Sequence, residues 1–278
     1  MRPLATSSAE AARARLDELL VERGLARTRA EAGRLILAGR VRVAGGRGDK
    51  AGRLVRRSAE IELVRASPFV SRGGEKLAPA LDAFGVAPEG RVCLDVGAST
   101  GGFTDCLLKR GARRVYAVDV GRGQLDARLG ADTRVAVLDG VNARYLGASQ
   151  LGEPVALATV DVSFISAEKI LPALLTCLAP SGEVVLLVKP QFEVGRGQVG
   201  KGGVVRDARL HAAVVLRVAR TAAELGLRPC AVCASPLRGP KGNREFFLHL
   251  RRGAGDASAT LPDGLEAAVA AVAGSEVR

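Results

Sequence analysis

Two places in this sequence carry residues whose type and position could do chemistry. The first is Lys189, directly before Pro190 in "GEVVLLVKPQFEVG". It closes an apolar, β-prone run, Val184 to Val188, of the kind that forms a strand buried on both faces. An amine at the end of such a strand has a rigid base and can take, give or steer a proton. The second is "LDVGASTGGFTDCLL". Here Asp95 ends one strand, Gly97, Ala98, Ser99, Gly101 and Gly102 form a turn, and Phe103 opens a helix. Glycines let the chain turn tightly and approach a ligand closely, while the helix start offers free N–H donors. Asp119, ending the next strand in "RVYAVDV", stands where a carboxylate would accept hydrogen bonds from ribose hydroxyls. The spacing does not satisfy the G-x-G-x-x-G fingerprint of dinucleotide sites.

These residues need a sheet to hold them. Strand-like runs appear at "RVCLDV", "RVYAVDV", "RVAVLD", "VALATVDV", "EVVLLVK", "PCAVCAS" and "EFFLHL". Helical patterns lie between most of them, notably "GGFTDCLLKRG" and "RLHAAVVLRVARTAAELG". The alternation predicts a parallel α/β sheet with helices on both faces, whose ligand sits beyond the carboxyl ends of the strands. "LEAAVAAVAG" after the breaker-rich "GAGDASATLPDG" predicts a last helix. Ahead of the sheet, Leu16, Leu19 and Leu20 make one helical stripe, ended by Gly24. "TRAE" is a capping box for a second helix with Ala32, Leu35 and Ile36 on its stripe, stopped by Gly39. "RVRVAG" then alternates as a strand. "RASPFVSRGGEK" reads as a linker, interrupted by Pro68 and broken by Gly73-Gly74.

The net charge of +12 points to a polyanionic partner. Residues 1–66 hold 15 Lys and Arg against 8 Asp and Glu, so the excess is concentrated there. Arg27, Arg29, Arg34, Arg40 and Arg42 crowd this segment behind Arg15. At that density they cannot all find carboxylates locally, whereas phosphates would satisfy them. Arg72, and Arg196 and Lys201 in the Gly-rich "FEVGRGQVGKGGVVRD", are further candidates for RNA phosphates, the last two on a loop that could act as a lid. No apolar run approaches the length of a membrane span, and the charged start lacks the core of a secretory signal, so a cytoplasmic protein is expected. Cys230 and Cys233 have metal spacing without a second pair or a nearby His. They are expected as buried small hydrophobes, with no metal, and His211 and His249 as structural.

The Gly-rich turn resembles the first motif of class I S-adenosylmethionine (SAM) methyltransferases. Together, "VSRGGEKL", "LDVGASTGGFTD", "VDVSFIS", "LLVKPQFEVGRGQVGKGGVVRD" and "SPLRGPKGNREFF" resemble the TlyA family of rRNA 2'-O-methyltransferases, also labelled hemolysin A. The resemblance covers roughly residues 14–252. It implies an α+β S4 RNA-binding domain over 1–66, with 1–13 a loose lead, and a linker over 67–74. A Rossmann-like, FtsJ-like methyltransferase domain would follow over 75–252 and a tail with a possible helix over 253–278. It also implies a Lys-Asp-Lys-Glu tetrad, carried onto Lys76, Asp161, Lys189 and Glu245, and SAM as cofactor. Asp95, Gly97, Ala98, Ser99, Gly101, Gly102, Phe103 and Asp119 would line the cofactor loop, with Phe103 as a cover, and Asp139 and Asn142 the adenine side. Where the family reads Glu-Arg-Thr before that Asn, this chain has Asp139-Gly140-Val141. The implied reaction is methylation of a cytidine 2'-hydroxyl in 16S or 23S rRNA, within 30S or 50S subunits. The rivals are a 2'-O-methyltransferase for another RNA, and a non-enzymatic RNA-binding or hemolysin-like protein.

Overall fold

The computed structural model describes residues 12–37, 40–48, 50–64, 67–195, 197–200, 202–253 and 260–275. The chain divides into two compact units, Met1–Ser67 and Pro68–Arg278.

The smaller unit runs β1 (Arg13–Arg15), α1 (Leu16–Glu22), α2 (Arg29–Leu37), β2 (Val41–Val43), β3 (Gly46–Arg47), β4 (Leu54–Arg56) and β5 (Ile61–Leu63). β1 pairs with β4, and β3-β2-β5 form a second small antiparallel sheet. The stripes of both helices meet in one core of Leu16, Leu19, Leu20, Ala32 and Ile36, closed by Val41 and Val43 while Arg42 points out. At the start of α2 the Thr28 hydroxyl accepts from Glu31 N at 3.1 Å. The Glu31 carboxylate reaches back to Arg27 N (2.9 Å), one residue further than a standard capping box. Gly39, the expected stop, lies outside the described residues.

The larger unit opens with α3 (Arg72–Phe84), then β6 (Val92–Val96), α4 (Gly102–Lys109), β7 (Arg114–Asp119), α5 (Ala127–Gly130), β8 (Val135–Asp139) and β9 (Val155–Val160). It continues through α6 (Leu171–Cys177), β10 (Leu178–Val188), α7 (Pro190–Glu193), α8 (Ala208–Glu224), β11 (Leu227–Ala234), β12 (Phe246–Arg252) and α9 (Leu265–Gly274). All seven expected strands form one sheet, in the order β11-β12-β10-β9-β6-β7-β8. Alternate residues of β10 feed different cores: Val184, Leu186 and Val188 one, Val185 and Leu187 the other. The run ahead of Lys189 is therefore buried on both faces, as its composition predicts.

Three local expectations are corrected. The sheet is not wholly parallel: β12 runs antiparallel to both β10 and β11. The loop 235–245 carries no crossover helix, so the chain can only return as a hairpin. Second, Gly73-Gly74 does not break regular structure but lies in the first turn of α3, capped by Ser71. A Cβ on Gly74 would stand 2.2 Å from the Phe69 ring, and one on Gly73 would stand 3.3 Å from Phe103 and 3.4 Å from Gly102 Cα at the start of α4. Third, Cys230 and Cys233 are only partly buried, since β11 is the edge strand of the sheet among the described residues. His211 and His249 are buried and bonded, to the Val205 carbonyl (3.0 Å) and the Glu183 carboxylate (3.1 Å). α9 packs its Leu265, Val269 and Ala273 inward. Among the described residues, no helix is long and apolar enough to cross a membrane.

Candidate active site

The carboxyl ends of β6, β7 and β9 converge on one cleft, and Lys189 at the end of β10 lies against Asp161 beside it. After Val96 the chain turns at Gly97 (φ 86°), and a Cβ there would stand 2.4 Å from the Asp161 carbonyl oxygen. Only glycine lets the turn lie against the end of β9. Ser99 is itself left-handed (φ 49°), and its N–H donates to Asp119 Oδ2 at 2.8 Å. Asp119 Oδ1 accepts from Gly121 N at 2.7 Å, so this carboxylate ties the two turns together at the cleft edge.

The cleft has two lobes. Gly97, Ser99 and Asp161 line both. One lobe adds Lys76, Ala98, Gly102, Phe103, Arg72 and Arg238. The other adds Asp119, Asn142 and apolar walls from Val118, Val141, Ile165 and Ile170. That combination fits a nucleoside cofactor: apolar walls for a base, a carboxylate for ribose hydroxyls, and a turn too tight for a side chain.

Several expected contacts play other parts. Phe103 is a wall rather than a cover, its ring set against Phe247 at 6.1 Å. Gly101 sits under Leu125 and Leu129 and Asp139 is exposed, and neither lines the cleft. Asp139 accepts from Gly123 N (2.7 Å), buttressing the turn after β7.

Asp95 is fully buried beneath the turn, where it accepts from the Thr104 hydroxyl (2.7 Å) and lies 3.4 Å from that of Thr159. It joins β6 to α4 and β9, a positioning role. Burial pushes its carboxyl up from 3.8 to about 7. A carboxyl raised on folding contributes stability that is full below its unfolded value and lost as pH rises through its folded one. The loss therefore falls between pH 3.8 and about 7. Asp95→Asn cannot ionise, so its urea midpoint relative to wild type is expected to be higher at pH 8 than at pH 4. An offset independent of pH would contradict this.

The four tetrad candidates come together as two ion pairs. Lys76, on α3, lies 2.6 Å from Glu245 Oε2, with the two side chains 11% and 0% exposed. The other Glu245 oxygen is buried, has no hydrogen-bond partner among the described residues, and faces Gly239, where a Cβ would stand 2.0 Å away. Lys189 Nζ is 2.5 Å from Asp161 Oδ1 and donates to Ser163 Oγ at 2.9 Å. Each ammonium thus has its own carboxylate.

Ser163 was missed from sequence, although it sits two residues after Asp161 inside "VDVSFIS". Phe164 was missed too. It is 91% exposed at a left-handed φ of 64°, with its ring 5.1 Å from that of Phe192.

The arginine candidates divide. In the smaller unit Arg15 and Arg29 both bind Asp17, whose carboxyl is held down at about 2, first by Arg15. Arg27 pairs with Glu31. Arg34, Arg40 and Arg42 form no ion pair among the described residues: Arg40 and Arg42 donate to the Val64 and Gly45 carbonyls, and Arg34, after Arg27, helps hold down the Glu31 carboxyl. In the larger unit Arg72 lies exposed beside one lobe and donates to the Arg238 carbonyl at 3.0 Å. Arg196 and Lys201 lie outside the described residues.

The FtsJ-like methyltransferase family profile matches residues 69–252 and the S4 domain profile residues 14–61. The 16S/23S rRNA (cytidine-2'-O)-methyltransferase TlyA of Mycobacterium tuberculosis is 53% identical over 87% of this chain and 91% of its own length. Hemolysin A of Brachyspira hyodysenteriae is 41% identical over 84% of this chain and 98% of its own. A solved Streptococcus thermophilus structure described as a hemolysin superposes with TM-score 0.73 at 40% identity, over 94% of this chain and 95% of that one.

Proposed function

The chain belongs to the S4-bearing FtsJ-like methyltransferases of the TlyA type, and from that membership we propose that it methylates the 2'-hydroxyl of cytidine in 16S and 23S rRNA. The observation that carries the reading is the convergence of Lys76, Asp161, Lys189 and Glu245 beside a nucleoside-shaped cleft.

The residues suited to hold SAM are Gly97, Ser99, Asp119 and Asn142, with Val141 and Ile165 against its base. When bound, SAM supplies a methyl group already activated by its sulfonium. The chain's own task is the ribose. A 2'-hydroxyl is a weak nucleophile at neutral pH, so it must be held in line and its proton eased away. The Lys189 amine, fixed by Asp161 and Ser163 at the end of a rigid strand, is placed to receive or steer that proton. The Lys76–Glu245 pair flanks the adjoining lobe and orients the ribose.

A base inside a helix hides its ribose, so the target nucleotide must swing out. Phe164, exposed beside Ser163 and backed by Phe192, is a ready platform for the swung-out base. Arg34, Arg40 and Arg42, which form no ion pair among the described residues, give the S4 unit its grip on rRNA phosphates. Ribosomal subunits in the cytoplasm are then the setting.

The test is transfer of labelled methyl from SAM to isolated 30S and 50S subunits, with the modified nucleotide mapped. Ribose methylation at cytidine is expected. Methyl on a base, or none in any rRNA substrate, would overturn the reading. Phe164→Ala should raise KM for the accepting subunit by about 5- to 150-fold, the loss of one stack at roughly 1–3 kcal/mol. An unchanged KM would remove Phe164 from the site.

A further inference from the structure

Glu193 is a buried carboxylate that the reaction as described does not use. It ends α7, four residues after Lys189, with its side chain 2% exposed. Its Oε1 accepts from Ala167 N at 2.7 Å, and its Oε2 from the Ser166 hydroxyl at 2.7 Å. Arg217 comes only to 3.5 Å of that carboxylate, and binds instead the Glu193 carbonyl (2.7 Å) and Glu168 (3.1 Å).

These bonds close a ring. From Lys189 the chain runs through Pro190 to Glu193, crosses to Ser166 and Ala167, and returns through Ser163 to the Lys189 amine. The lysine has four rotatable side-chain bonds, so its acceptors fix where its nitrogen lies. Asp161 and Ser163 both belong to the segment leaving β9, beyond the last ladder partner of that strand, Val160. Phe164 holds a left-handed backbone there, a conformation a non-glycine residue keeps only when its surroundings impose it.

We infer that Glu193 is a positioning residue for Lys189: by clasping Ser166 and Ala167 it fixes Ser163 and Asp161 around the amine. The inference rests on the reading of Lys189 as the group that handles the ribose hydroxyl. Glu193 touches neither cofactor nor substrate.

The test uses the full chain at saturating SAM and saturating ribosomal subunit, so that binding defects drop out. It is run at a temperature where each variant is folded by circular dichroism. Glu193→Ala is expected to lower this rate about 10- to 100-fold, the scale of a misplacement near 1 Å. Glu193→Gln can still accept from Ala167 N and donate to Ser166, and should return to within about threefold of wild type. Ser166→Ala, losing one arm, should lie between wild type and Glu193→Ala, and it decides the matter if Glu193→Ala does not fold. A merely structural Glu193 would lower the melting temperature and leave the saturated rate alone.

Wild-type rates in Glu193→Ala and Ser166→Ala, or a Gln variant as slow as the Ala variant, would overturn the inference. Lys189→Ala is run alongside. If it is inactive while Glu193→Ala is fast, this inference alone fails. If Lys189→Ala is itself active, the underlying reading fails.

Discussion

Lys189→Ala is expected to lower methyl transfer by about 10²- to 10⁴-fold, the range for loss of a positioned proton-transfer group. The equilibrium binding of SAM should change little, because Lys189 lines neither lobe of the cleft. Its amine is held instead by Asp161 and Ser163. Lys189→Arg sharpens the result, since a guanidinium keeps the charge and donates hydrogen bonds but does not give up its proton. If the amine acts as base, the Arg variant is as slow as Ala. If it only positions the hydroxyl, Arg keeps part of the rate. Single-turnover transfer to 30S and 50S subunits, with SAM binding measured in parallel, reads both. Near wild-type transfer by Lys189→Ala would remove this residue from the mechanism.

Glu245→Ala should be the most damaging single substitution to both fold and activity. It strips the partner from an ammonium only 11% exposed, leaving a buried charge uncompensated at a cost of about 3–5 kcal/mol. Urea unfolding would show the loss directly. The double variant Lys76→Met with Glu245→Gln removes both charges and keeps similar shapes, so stability should return most of the way to wild type. Activity should not return if the pair orients the ribose as proposed. Recovery of activity together with stability would reduce the pair to a structural role. Failure of the double variant to recover stability would mean that the buried charge is not what the single variant suffers from.

Most of the secondary structure was legible because its signals are local. The alternation of apolar runs located all seven strands of the large sheet. The stripe in "LEAAVAAVAG" located α9 at Leu265–Gly274. The turn "GASTGG" was legible as a turn from its run of glycines, although what forbids side chains there is distant: the Asp161 carbonyl at Gly97, and Leu125 and Leu129 at Gly101. What escaped were features set by distant neighbours. Gly73-Gly74 reads as a breaker until Phe69 and the start of α4 are packed against it. Asp95 reads as a ligand contact until Thr104 and Thr159 close over it. Arg29 reads as a free cation until α2 brings it to Asp17 on α1.

The same division runs through the site. The sequence by itself determined which residue types stand at strand ends and in the Gly-rich turn, while the family resemblance carried by its motifs implied Lys76, Asp161, Lys189 and Glu245 as a set. Only the tertiary structure decided how that set is wired: Lys189 to Asp161 and Ser163, Lys76 to Glu245 across 169 residues of sequence. It also reversed β12, exposed Phe164 and placed Glu193 behind the segment that holds Lys189. The reason is physical. Periodicity and turn chemistry act over a few residues and leave their mark in order along the chain. The partner of a buried charge is chosen by the free energy of removing it from water, which depends on whatever the fold brings within about 3 Å.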